Sequence, residues 1–354
     1  MPDASPNFAF ASDNTAGICP EALAALAEAN SGRVPSYGDD AATAQAKKLF
    51  RDLFETDCEV FFVFNGTAAN ALALAAICQR HHGILCHALS HAETDECGAP
   101  EFFTGGSKVI PIDGPQAKLQ PADLEPALHR GHGVHFPKLR ALSLTQSTEL
   151  GTVYTADELR ALCDFAHAHA FSVHLDGARF ANAAATLGDR GHSVANITWR
   201  AGIDVLCLGG TKNGLLGTEA VVFFNRSLAR EFEYRVKQSG QLASKMRFAS
   251  AQWTAMLCDG AWLRYAAHAN RQALKLAAGL RTLGFSLVVP TEANGVFVEL
   301  PPRVVASLQG RGWQFYKFVG DHGYRLMCSW ATQDGDVATF LADARAALQK
   351  NPAA

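Results

Sequence analysis

"EVFFVFNGTAANALALAAICQR", residues 59–80, changes its period halfway. The first six residues, β-branched and aromatic apart from Glu59, read as a buried strand, and the alanine- and leucine-rich remainder from Thr67 reads as a helix. Between them lies Asn65-Gly66-Thr67, a turn that opens the helix. Further short strands are expected at "GILCHAL" (83–89), "SKVIPI" (107–112), "RALSLT" (140–145), "FSVHLD" (171–176), "IDVLCLGG" (203–210) and "EAVVFF" (219–224). "TADELRALCDFAHAHA" (155–170) is a helix, with Thr155 and Glu158 at capping-box spacing. Strands alternating with helices predict an α/β fold with a mostly parallel sheet covered on both faces.

After residue 250 the pattern changes. One long helix (255–284) leads to strands "FSLVV" (285–289) and "GVFVEL" (295–300), a helix, the strand "YRLMCSW" (324–330) and a last helix. The expected division is a large domain over 1–250 and a smaller α+β domain over 251–354.

The 354 residues are 48% hydrophobic and 18% charged, with a net charge of -3. That balance argues against a nucleic-acid or anionic-membrane partner. No apolar run reaches membrane-spanning length, and the first residues lack the basic and apolar regions of a secretory signal. Nine cysteines without a C-x-x-C pair argue against a disulfide framework or a structural metal site and fit a reducing cytoplasm.

Ligands of parallel sheets bind beyond the C-terminal ends of the strands. Three groups follow strands here: Gly66 and Thr67, Asp176, and Lys212 in "GGTKNG" (209–214). Each alone has a plain explanation as a helix cap, a turn former or a solvated lysine. Together they match the needs of pyridoxal 5'-phosphate. A helix N-terminus holds a phosphate, an acid keeps the pyridine nitrogen protonated, and a lysine forms the Schiff base. The glycines beside Lys212 are expected to let the cofactor approach the backbone. Neither a Walker motif nor a dinucleotide G-x-G-x-x-G follows any expected strand.

At this point the chain resembles the low-specificity L-threonine aldolases, fold-type-I (aspartate aminotransferase-like) pyridoxal-phosphate enzymes. The likeness rests on "FASDN" (10–14), "YGDD" (37–40), "FNGTAAN" (64–70), "SHAETDECGAPEF" (90–102), "VHFPK" (134–138), "VHLDGARFANA" (173–183), "GGTKNG" and "YRLMCSW". It implies that Lys212 carries the cofactor, Asp176 pairs with its nitrogen, Gly66 and Thr67 hold its phosphate and His91 stacks on its ring. It also implies that Ser12, Arg179 and Arg325 bind the substrate carboxylate, with Arg179 near the cofactor as well. His135 would lie by the substrate hydroxyl. Arg247, and with it Tyr37, would reach a neighbouring subunit's site in a homodimer or homotetramer. The implied reaction cleaves threonine or allo-threonine to glycine and an aldehyde, with His91, His135 or a water held by them as base.

Two stretches depart from the family pattern where the substrate side chain is expected. "TQSTELGT" (145–152) replaces an "ENTHNGG"-like segment, and acidic Glu93, Asp95 and Glu96 follow His91. Another fold-type-I activity, such as β-elimination, transamination or decarboxylation, and a non-catalytic cofactor-binding homologue remain as rival readings.

Overall fold

The computed structural model describes residues 5–349. Ten strands form two sheets: β1 (Glu59–Val63), β2 (His82–His87), β3 (Lys108–Ile112), β4 (Lys138–Thr145), β5 (Ser172–Gly177), β6 (Val205–Leu208), β7 (Glu219–Phe223), β8 (Gly295–Glu299), β9 (Tyr316–Val319) and β10 (Gly323–Met327). The large sheet has the order β1-β7-β6-β5-β4-β2-β3. The pairs from β6 to β3 are parallel, and β7 runs antiparallel to both neighbours. The fold is therefore α/β with a mostly parallel sheet. Its central strands β5 and β6 are buried along their whole length, as expected of strands with helices on both faces.

The alanines of the first stretch have a packing reason. The helix Gly66–Ile77 is buried at every residue from Ala68 to Ala75, so small side chains let it lie close under the sheet. Register then fixes the edge that matters. Thr145 pairs with Asp176 and Asp176 with Cys207, so β4, β5 and β6 end together. Because β7 returns antiparallel, with Ala220 opposite Leu208, its first residue Glu219 sits at the same edge.

Beyond residue 250 the structure differs from the reading in three places. The single long helix is two, Arg247–Cys258 and Ala261–Thr282, separated at Asp259 and Gly260, where Gly260 has φ +72°. "FSLVV" contributes only an isolated bridge between Leu287 and Val298, not a strand. The strand β9 went unforeseen, as did the helices Pro20–Ala29 and Ala41–Phe54, against which Arg247–Cys258 packs.

One core lies around the large sheet and another between the small sheet and the helices Ala261–Thr282 and Asp334–Gln349. Phe10 belongs to the second, stacked on Trp313 and edge-on to Phe340. The chain from Phe10 to Asn14 thus runs from the small core to the edge of the large sheet.

Candidate active site

A cavity of about 450 Å³ opens at the shared strand ends, lined among others by Asn14, Gly66, Thr67, His91, Asp176, Lys212 and Glu219. Gly66 and Thr67 begin the helix Gly66–Ile77, with Asn65 accepting a hydrogen bond from the Ala68 amide at 2.8 Å. The two amides before it have no intrahelical acceptor and face the cavity end of the helix.

Asp176 Oδ1 accepts from the Ala178 amide (3.0 Å), and Oδ2 accepts from Asn70 Nδ2 (3.0 Å). Asn70 Nδ2 also donates to Glu96 Oε1 (2.8 Å), which lies 3.1 Å from His91 Nδ1. Asp176, Asn70, Glu96 and His91 therefore form one buried chain. The hydrogen bond His91 donates to Glu96 holds His91 above the usual imidazole range despite burial, and burial holds Glu96 above the usual carboxylate range despite that bond. Of the three acids after His91, only Glu96 is buried; Glu93 and Asp95 are exposed.

Lys212 lies in a short 3-10 turn, Thr211–Asn213, just past β6. Its neighbours Gly209 and Gly210 have a different reason from the one expected. A Cβ on Gly209 would collide with the Ala178 carbonyl, and one on Gly210 with the Thr218 carbonyl, Leu215 and Trp253. The glycines thus seat the loop closely against protein, and Gly209 also lines the cavity. Glu219 supports the same loop, its Oε2 accepting from the Gly210 amide at 2.5 Å. Burial raises Glu219 to about 7, opposed by hydrogen bonds from Thr211 and Gly210 and by the charge of Lys212.

Arg179 is a buried ion pair. Its Nε and Nη2 donate to Asp13 at 2.7 and 2.9 Å, and Asn294 Nδ2 donates to the same carboxylate at 3.1 Å. Burial alone would raise Asp13; the Arg179 guanidinium outweighs it and brings Asp13 down to about 2. Arg325, on β10, lies over the Phe318 ring at 4.9 Å and is lowered by burial and by the charge of Arg179. Its Nε is buried without a hydrogen-bond partner. Ser12 caps the turn beside Asp13, accepting from the Asn14 amide at 3.2 Å. The two arginines, one after β5 and one on β10, lie close enough for their charges to interact.

Three expected residues lie elsewhere. His135 is exposed in the short turn Gly133–His135, before the first residue of β4, whereas the cavity lies past its last. Seven strand steps at about 3.3 Å each put it on the order of 20 Å away, at the opposite sheet edge. Within its own chain His135 therefore does not reach the Lys212 cavity, contrary to expectation. Arg247 lines a separate cavity of about 410 Å³ between the helices Pro20–Ala29, Ala41–Phe54 and Arg247–Cys258. Tyr37 is exposed, with Lys237 Nζ 4.9 Å above its ring.

The residues that sequence reading missed are Asp13, Asn70, Glu96 in its pairing role, Glu149 and Glu219. Glu149 follows β4 at the same sheet edge, within reach of the charges of Arg179, Lys212, Asp176 and His91, and burial raises its carboxyl.

The β-eliminating lyase family matches residues 9–301. The low-specificity L-threonine aldolase of Pseudomonas aeruginosa is 54% identical over 337 residues, covering 95% of this chain and 96% of its own. The chain belongs to the β-eliminating lyase family and, within it, to the low-specificity L-threonine aldolases. The aldolase of the same name from a Pseudomonas species is 52% identical over 340 residues, covering 96% and 97% of the two chains. The threonine aldolase structure from Leishmania major superposes with a TM-score of 0.89 at 30% identity, covering 95% of this chain and 98% of that one. The aldolase family thus accounts for the whole described fold, including the small-sheet half that carries Arg325.

Proposed function

We propose that this chain cleaves L-threonine, L-allo-threonine and related β-hydroxy-α-amino acids to glycine and an aldehyde, using pyridoxal 5'-phosphate. The observation that carries the reading is the convergence of Lys212, Asp176 and the Gly66–Ile77 helix N-terminus on one cavity, with the buried, unpartnered Nε of Arg325 within reach of the charges of Arg179 and Glu149.

The residues fit the cofactor. Arg325 Nε is buried with no partner of its own, and the helix-start amides of Gly66 and Thr67, the Asp176 carboxylate and the Lys212 amine meet at one cavity. When bound, pyridoxal 5'-phosphate supplies a carbonyl for an amine and a ring that draws off the electron pair of a breaking Cα–Cβ bond. In this reading Lys212 Nζ holds the cofactor, Asp176 faces its ring nitrogen, the Gly66 and Thr67 amides receive its phosphate and His91 covers its face. Glu96 fixes the His91 tautomer by accepting from Nδ1. Arg179, held rigid by Asp13, and Arg325 bind the substrate carboxylate and set the Cα–Cβ bond for cleavage. Ser12 assists them.

The finer parts of the reading are a cytoplasmic location and a homodimer or homotetramer whose sites are shared. The second is supported by Arg247 and Tyr37 lying outside their own chain's Lys212 cavity, and by exposed Phe64 and Leu216 at that cavity's lip. The division at 250/251 belongs to the same reading, with Phe10 as a large-domain residue lent to the small core.

Product identity tests the proposal. Purified protein supplied with pyridoxal 5'-phosphate and L-threonine is expected to release glycine and acetaldehyde in equal amounts. Ammonia with 2-oxobutyrate would indicate β-elimination, and 2-oxo-acid formation dependent on an amino acceptor would indicate transamination; either contradicts the reading.

A further inference from the structure

Asp176 and Glu219 line the cavity, Asp13, Glu96 and Glu149 lie near enough for their charges to reach its residues, and four of the five acids are committed. Asp13 is held by Arg179 and Asn294, Asp176 by Asn70 and the Ala178 amide, Glu96 by Asn70 and His91, and Glu219 by the Gly210 amide. Glu149 differs. Among the described residues its carboxyl has no hydrogen bond and no ion pair, although it is half-buried and feels the charges of Arg179, Lys212 and His91. Arg325 in turn feels Glu149. A half-buried acid with no protein partner, amid the groups assigned to substrate, is free to engage one.

The backbone beneath it is built rather than loose. Glu149 and Leu150 form the tip of a turn closed by the Gly151 amide donating to Thr148 O at 2.8 Å and the Thr148 amide donating to Thr152 O at 2.9 Å. The two threonine hydroxyls lie 2.7 Å apart, and Gln146 exchanges hydrogen bonds of 2.9 and 3.0 Å with the Tyr154 backbone. The Gln146 amide donates to Asp176 O at 2.8 Å, tying the turn to β5. Leu150 anchors the tip by packing with Phe297 and Val289. Such a frame sets a side chain's direction before substrate arrives.

We infer that the Glu149 carboxylate is the base that takes the β-hydroxyl proton of the substrate, an inference that rests on the aldolase reading above. The hydroxyl O–H bond breaks and its proton passes to a Glu149 oxygen. The electron pair left on the substrate's β-oxygen forms the second C–O bond of the aldehyde as the Cα–Cβ bond breaks, and the pair from the Cα–Cβ bond stays with Cα. Cα then takes up a proton, glycine leaves, and Glu149 returns its proton to solvent. Nothing is oxidised or reduced. His91 is already committed, its Nδ1 to Glu96 and, in the reading above, its ring to the cofactor face. A carboxyl raised toward the working pH by burial is a stronger base than a solvated one.

The test separates this step from chemistry at Cα. Exchange of the glycine Cα hydrogen with deuterium from solvent, followed by NMR, uses the same cofactor, lysine and carboxylate clamp but involves no hydroxyl. In cofactor-loaded Glu149→Gln, threonine cleavage is expected to fall on the order of 10²–10⁴-fold, the usual contribution of a general base. Glycine exchange and cofactor absorbance should stay near wild type. In Glu149→Ala, added formate should restore part of the cleavage rate. Equal loss of cleavage and exchange would make Glu149 only a counter-charge to the arginines and overturn the inference, as would unimpaired cleavage in either variant. A wild-type protein that exchanges glycine yet leaves threonine intact would instead overturn the aldolase reading, and this inference with it.

Discussion

At the residue scale, the His91–Glu96 pair carries a pH prediction. Glu96 holds His91 above its ordinary range, so Glu96→Gln should lower the pH at which His91 titrates, observable by NMR of the ring protons. An unmoved titration would mean that burial and the remaining charges, not Glu96, set His91. The arginine clamp makes a second. Arg325→Lys keeps the charge and loses the planar fork, and a charge-assisted hydrogen bond contributes about 1.5–3 kcal/mol. KM for threonine is expected to rise by roughly ten- to a hundredfold with cofactor still bound. Steady-state kinetics beside the cofactor spectrum checks both halves of that statement.

At the scale of elements, strand ends explain what could be read in advance. Lys212, Gly66 and Thr67 follow, and Asp176 stands at the end of, a strand that its own sequence announces, so chain position alone places them at one edge. The same rule, applied to "RALSLT", would have rejected His135, which precedes its strand instead of following it. Glu149 follows that strand and would have been accepted. Asp13 was illegible for another reason: Arg179 lies 166 residues away, and only the segment running from the small core brings the two together. Removing the carboxylate in Asp13→Ala should cost about 3–5 kcal/mol, as for other broken buried pairs, measured by urea unfolding. Acid should act in the same direction. Because folding brings Asp13 from 3.8 down to about 2, its contribution of about 2 kcal/mol is present above pH 4 and lost as pH falls toward 2. The turn bearing Lys212 is equally exacting. Gly210→Ala drives a methyl into Leu215, Trp253 and the Thr218 carbonyl, and should lower both thermal stability and cofactor loading.

At the scale of the whole molecule, the site is assembled from two cores. Lys212 and Asp176 stand on the large sheet, Arg325 on the small one, and the residues from Phe10 to Asn14 link them. The α/β class and the mostly parallel sheet were legible because β-branched and aromatic runs alternate with alanine-rich helices. The break at Gly260 was not, because apolar residues continue on both sides and only the backbone conformation separates the helices. Nor was the loss of "FSLVV" as a strand, which depends on what the rest of the small sheet offers for pairing. Among the described residues no helix is long and apolar enough to cross a membrane.

The central claim is that Lys212 holds the cofactor in this cavity. The most direct measurement is to load the protein with pyridoxal 5'-phosphate, reduce the linkage with borohydride, digest, and locate the pyridoxyl group by peptide mass. The account predicts one modified lysine, Lys212, and no modification or threonine turnover in Lys212→Ala. Pyridoxyl on a different lysine, or wild-type turnover in that variant, would contradict it.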